Sequence, residues 1–188
     1  PAKSSFLSME KDLSTITNLI LENKRIQKLL YYTTPDAMYK KDVPEDKVYE
    51  LIGKNIKIIP KIYIDKDVLN YLFISFDNYT PNDTNPEFRD SLIFFDIICH
   101  FDQWQLKDFQ LRPYRIAAEL DATIDKKHLS GIGEIEFMGA SQILMSDEFA
   151  GLTLMYRTVH GGEDRKNMLN PLDQAQLEKE FDELPHLD

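Results

Sequence analysis

One cysteine in 188 residues leaves no intrachain disulfide to form, and it fits a chain made for a reducing compartment. Long apolar runs are missing too. No stretch reaches the roughly 18 consecutive apolar residues that mark a membrane-spanning helix, so no span is expected. The opening PAKSSFLSMEKDL has no apolar core of the signal-peptide kind; headed by Pro1, it predicts a chain made inside the cell from which an initiator Met was removed. Positive charge is scarce: 22 Lys and Arg stand against 32 Asp and Glu, for a formal charge of −10. Such a balance argues against sequence-independent wrapping of nucleic acid, which works by neutralising phosphates with many basic side chains. It leaves room for local basic patches on an oligomer.

Catalytic patterns are absent as well. There is no GxSxG turn and no HExxH, and the Gly131-Ile132-Gly133 pair precedes a strand, not the helix that a dinucleotide fingerprint requires. Cys99, His100 and Asp102 are close in sequence, but strand neighbours point to opposite faces, so Cys99 and His100 do not converge on one metal. Cys99 reads as a buried, inert thiol. His160-Gly-Gly-Glu163-Asp164 reads as the way out of a last strand, without the second His a metal site would want. Glu134 and Glu136 alternate with Ile135 and Phe137, the pattern of a strand's solvent face. No catalytic, cofactor-binding or metal-ligating residue is therefore expected, and no cofactor. An enzyme or small-ligand domain would need a deep pocket, and a buried cluster of Asp96, His100 and Arg115 would be its sign.

What is present is periodicity. SLIFFDIICHF alternates Ile93, Phe95, Ile97, Cys99 and Phe101 against Leu92, Phe94, Asp96, Ile98 and His100, as an interior strand does. RPYRIAAELDATI opens on Arg112-Pro113, with proline suited to a first turn, and sets Ile116, Ala117, Leu120 and Ile124 on one side. GEIEFMGASQIL and GLTLMYRTVH read as two strands joined by a turn. Upstream, Leu13, Ile16, Leu19, Ile20, Ile26, Leu29 and Leu30 predict one long helix from Ser8, its N-cap, to Tyr32. Pro44 to Gly53 predicts a short helix that packs Val48, Leu51 and Ile52. NIKIIPKIYID predicts a strand over Asn55–Ile64, confined to an edge by Pro60. YLFISFDNY predicts a strand with Leu72, Ile74 and Phe76 on one face, and Thr80–Asp90 a contact-making loop. Trp104, Leu106 and Phe109 read as a cover over one end of the core, with a subunit contact as the alternative.

These elements predict an α+β fold: one domain with a mainly antiparallel sheet packed by a central helix, an N-terminal helix and an extended C-terminal arm. Residues 1–53 form a helical region packing on the core, 54–160 the core, and 161–188 an arm with eight acidic and three basic residues. Within the arm, Pro171–Leu184 predicts a weak helix, built on Leu172, Leu177 and Phe181, that docks on a neighbour. Arg112, Arg115, Arg157 and Arg165 offer such an arm a basic patch on the next copy.

Over residues 54–160 the chain resembles the neck and tail-completion proteins of tailed bacteriophages, in particular the tail-terminator family of the lambda type. The resemblance is carried by a strand pair, the strand ending in FDIICHFDQW, the RPYRIAAELDATI helix, the GIGEIEF strand and FAGLTLMYRTV with its Tyr156. The N-terminal helical region and the acidic arm exceed the compact members of that family. The resemblance implies a non-enzymatic virion protein, assembled in the host cytoplasm into a homo-oligomeric ring, commonly a hexamer. Its partners would be tail tube and sheath or head connector proteins, with DNA passing through the lumen without sequence-specific binding. Neighbours would join through an edge such as Asn55–Ile64. The alternative is a head-completion adaptor under the portal, and beyond that a binding domain unrelated to phages.

Overall fold

Alternation through SLIFFDIICHF builds the middle of the sheet. In the computed structural model, which describes residues 6–125 and 133–160, this segment is β3 (Arg89–His100). Around it stand β1 (Ile56–Lys57), β2 (Asn70–Pro81), β4 (Glu136–Leu144) and β5 (Phe149–His160). The five strands lie in the order β1-β2-β3-β5-β4, antiparallel except for β1 on β2. With the helices α1 (Phe6–Leu21), α2 (Lys24–Tyr31), α3 (Glu45–Glu50), α4 (Phe101–Trp104) and α5 (Arg112–Ile124), this is the expected α+β fold.

The sheet's two faces have separate cores. On one, Ile93, Phe95, Ile97 and Cys99 join Leu72 and Ile74 of β2 and Leu154 and Tyr156 of β5. They receive Ile116, Leu120 and Ile124 from α5, and Ile16, Ile20, Ile26 and Leu29 from the first two helices. Each such side chain taken out of water contributes about 1.5–3 kcal/mol. On the other face Tyr71, Phe73, Ile98 and Phe149 meet Val68, with Ile62 and Ile64 packed alongside. β5 lies against β3 so tightly at Gly151 that a Cβ there would fall on the Ile97 carbonyl oxygen. Glycine alone fits that position.

The long helix expected over Ser8–Tyr32 is two helices. Asn23 breaks it: its side-chain Oδ1 accepts from the N–H groups of Arg25 (3.0 Å) and Ile26 (3.1 Å), capping α2 afresh. Gln27 Nε2 donates to the Leu21 carbonyl at the end of α1 (2.7 Å), and Asn23 Nδ2 to Thr123 Oγ1 of α5 (2.9 Å). Ser8 lies buried inside α1 rather than at its cap. The short helix forms, with Leu51 buried and Ile52 largely outside.

The edge strand expected over Asn55–Ile64 contracts to two residues. Pro60 cannot continue a ladder, and the chain after Lys57 folds back over the second core. There the Lys57 ammonium, 4% exposed, meets Asp65 Oδ2 at 2.5 Å and the Tyr63 hydroxyl at 3.0 Å. The loop expected over Thr80–Asp90 is shorter as well, because Thr80 pairs with Asp90 and Pro81 with Arg89. A bulge between Asp77 and Thr80, with Asn78 at φ 58°, carries the ladder that far.

Candidate functional site

The residues singled out from sequence do not gather into one place. Cys99 points into the helix-side core, and burial pushes its thiol up to about 12. His100 lies on the opposite face, its ring edge-on to Phe149, with Nδ1 accepting from the Asp102 N–H at 3.1 Å to cap α4. Asp96 accepts from the Thr153 hydroxyl at 2.7 Å, and burial raises its carboxyl. Arg115 sits on α5, across the sheet from Asp96 and His100, and donates to Gln110 Oε1. The cluster that would mark an enzyme is not assembled. Among the described residues no group of three or more His, Cys, Asp and Glu is arranged to hold a metal ion. Glu134 and Glu136 are exposed, while Ile135 between them is buried and Phe137 is 45% exposed with its ring against Tyr156.

Arg112 is a correction to the expected basic patch. It is wholly buried, and its guanidinium donates to four backbone carbonyls: Nε to Gln103 (2.8 Å), Nη1 to Leu29 (2.6 Å) and Tyr32 (2.8 Å), and Nη2 to Thr34 (3.1 Å). It therefore closes the C-terminal end of α2, where carbonyls have no helical partner. Arg157 is paired with Asp90 at 2.9 Å. Arg165 and the arm, with its expected helix over Pro171–Leu184, lie outside the described residues, as do Glu163 and Asp164.

His160 belongs to an arrangement that sequence reading missed. Its Nε2 is 2.5 Å from Ser91 Oγ and its Nδ1 is 2.6 Å from Asp12 Oδ2. The order serine, imidazole, carboxylate is that of a hydrolytic relay. A relay works only where the serine oxygen is open to a carbonyl, whereas Ser91 is 1% exposed and the Phe76 and Tyr79 rings pack on His160. Here the three groups fasten α1 to β3 and β5. A signal existed: Asp12 stands one turn before Ile16 and two before Ile20 on the buried stripe of α1, while Ser91 and His160 keep the parity of the core-facing residues on their strands.

Two parts of the surface are open. A groove of about 540 Å³ between α1, α2 and α3 has a mixed lining, with Leu21, Val43 and Val48 beside Glu22, Lys24 and Asp42. At the sheet's outer side β4 is exposed almost throughout, with Phe137, Met138 (48%) and Leu144 (84%) in solvent. Among the described residues no strand pairs with its free edge.

The YomW family model matches residues 23–158. That span runs from the cap of α2 almost to the end of β5. The family is named after a protein of a Bacillus phage region of the SPBeta type, a name that points to phage-associated origin and not to a particular virion part. No curated protein matches the chain.

Proposed function

We propose that this chain, which belongs to the YomW family, is a structural component of a phage particle: a ring-forming subunit of the neck, acting as a tail terminator between tail tube and head connector. The observation that carries this reading is β4. Monomeric proteins blunt a sheet edge with proline, charge, brevity, a bulge or a covering element. The β1 side is blunted in that way, by a two-residue strand and the fold-back after Pro60. β4 has nine residues, no Pro and no Lys, one charged residue, Glu136, and three exposed large apolar side chains; its one bulge, between Phe137 and Gly139, leaves Gly139–Leu144 as an unbroken run. An edge of that kind is a template for backbone pairing with another chain. The inter-subunit edge is thus β4, in place of Asn55–Ile64.

On this reading the work of the protein is contact and not turnover, and the enclosed Ser91 oxygen agrees with that. A formal charge of −10 disfavours trapping of DNA that passes through a lumen. Native mass spectrometry of the purified chain, with electron microscopy for symmetry, tests the reading. Six copies in a closed ring support it. Twelve move the protein to an adaptor under the portal, and a chain that stays single at every concentration and is missing from particles overturns it.

A further inference from the structure

The loop before α5 holds an aromatic side chain in water at a conformational cost. Gln105 and Leu111 bridge its base, the Leu106 N–H donates to the Gln110 carbonyl at 2.8 Å, and the Lys107 N–H reaches the Pro35 carbonyl at 2.9 Å. The Tyr39 hydroxyl braces the tip through Asp108 Oδ2 at 2.9 Å. At that tip Asp108 and Phe109 take φ of 60° and 59°, the left-handed region that L side chains avoid and that is worst for bulky ones. The result is a Phe109 that is 91% exposed. Strain of this kind persists where the surrounding structure enforces it, and such positions cluster at sites of binding. A ring that covers nothing in its own chain is placed to cover something in another.

The adjoining surface is a receptor of the matching kind. A groove of about 260 Å³ on α5 is lined by Gln110, Leu111, Tyr114, Arg115 and Ala118. Leu111 and Tyr114 are both exposed there, and the molecule's own Phe109 leaves them so. The knob is flanked by an acid, Asp108, and the groove by a base, Arg115. Knob and groove on one surface are what a two-fold contact between identical subunits requires.

We infer that Phe109 of one copy inserts into the Leu111–Tyr114–Ala118 groove of a second copy, and reciprocally, with Asp108 of each facing Arg115 of the other. The partner's identity as a second copy rests on the reading of the protein as an assembly subunit; being two-fold, the contact pairs subunits outside the head-to-tail contacts that close a ring, which remain with β4. Sedimentation velocity over a concentration series tests the contact. The wild-type chain gains mass with concentration, and Phe109→Gly weakens that association about 30-fold, the loss expected on removing an aromatic anchor. The melting temperature of dilute Phe109→Gly holds or rises, since glycine accepts the left-handed backbone without strain. Arg115→Glu alone and Asp108→Lys alone each fail to pair, and an equimolar mixture of the two restores the pair, because both cross-contacts then join opposite charges. Phe109→Gly that assembles like wild type overturns the contact while leaving the ring reading in place. A mixture that fails to pair, or Phe109→Gly that melts well below wild type, overturns the contact too.

Discussion

Replacing Arg112 separates a buried cation that serves the backbone from one that serves a carboxylate. A buried ion pair can often be exchanged for apolar residues at little cost, because both partners go. The acceptors of Arg112 are the carbonyls of Leu29, Tyr32, Thr34 and Gln103, which no substitution removes. Arg112→Met therefore leaves acceptors behind, at about 1–3 kcal/mol for each that finds neither water nor a new donor. Relaxation of the α2 terminus will rehydrate some of them, so the expected loss is about 3–5 kcal/mol, set against a total of roughly 5–15 kcal/mol for a domain of ordinary stability. Arg112→Lys keeps the charge but offers one ammonium in place of a planar fork, and it should recover less than half of the loss. Burial lowers the proton affinity of Arg112, yet an arginine remains charged in proteins, so the defect should not depend on pH across the neutral range. Urea unfolding, analysed by linear extrapolation, measures it. An Arg112→Met protein within about 1 kcal/mol of wild type, with an unchanged slope, would refute the reasoning.

Other perturbations should read out single elements. Asp12→Ala should cost about 2–3 kcal/mol by leaving His160 short of a buried partner, and hydrogen exchange should quicken over Phe6–Leu21 before β3; uniform quickening would contradict the fastening role. The Cys99 thiol, pushed up to about 12, should resist alkylation at pH 8 until the chain unfolds, and prompt labelling of the native protein would count against its placement. For Asp96, burial raises the folded-state carboxyl above its ordinary 3.8, so the folded chain binds the proton better and stability falls as pH rises through that window. Asp96→Asn, still able to accept from Thr153, should be more stable than wild type at pH 7. The advantage should shrink as pH falls through the raised folded-state value and be gone below about 3.8, and a variant no more stable at pH 7 would speak against the buried placement.

Legibility from sequence followed the range of the interactions involved. β3 and α5 were readable because their signals are local: a period of two through Ile93–Cys99, and a proline start followed by Ile116, Leu120 and Ile124. The break at Asn23 escaped because apolar spacing continues across it, while the capping bonds depend on one side chain turning inward. Apolar spacing over Asn55–Ile64 extends past β1 itself, whose pairing to β2 is parallel and non-local. Arg112 looked like surface charge, since nothing near it in sequence shows that the end of α2 lies overhead. The polar group around His160 joins residues 148 positions apart, and only the parity of Asp12 among Ile16 and Ile20 hinted at it. Phe109 is legible in the sequence as an aromatic, but its exposure follows from a backbone twist that composition does not encode.

The tie between Asp12 and His160 also joins the first described helix to the end of β5. One joins the first helix and the other ends the last strand, and they meet at a single corner with Ser91. A load that reaches Asp12 along α1 or His160 along β5 is thus borne by the same corner. For an engineer, that makes the corner one to leave intact, and a backbone opening belongs elsewhere, for instance between residues 82 and 88.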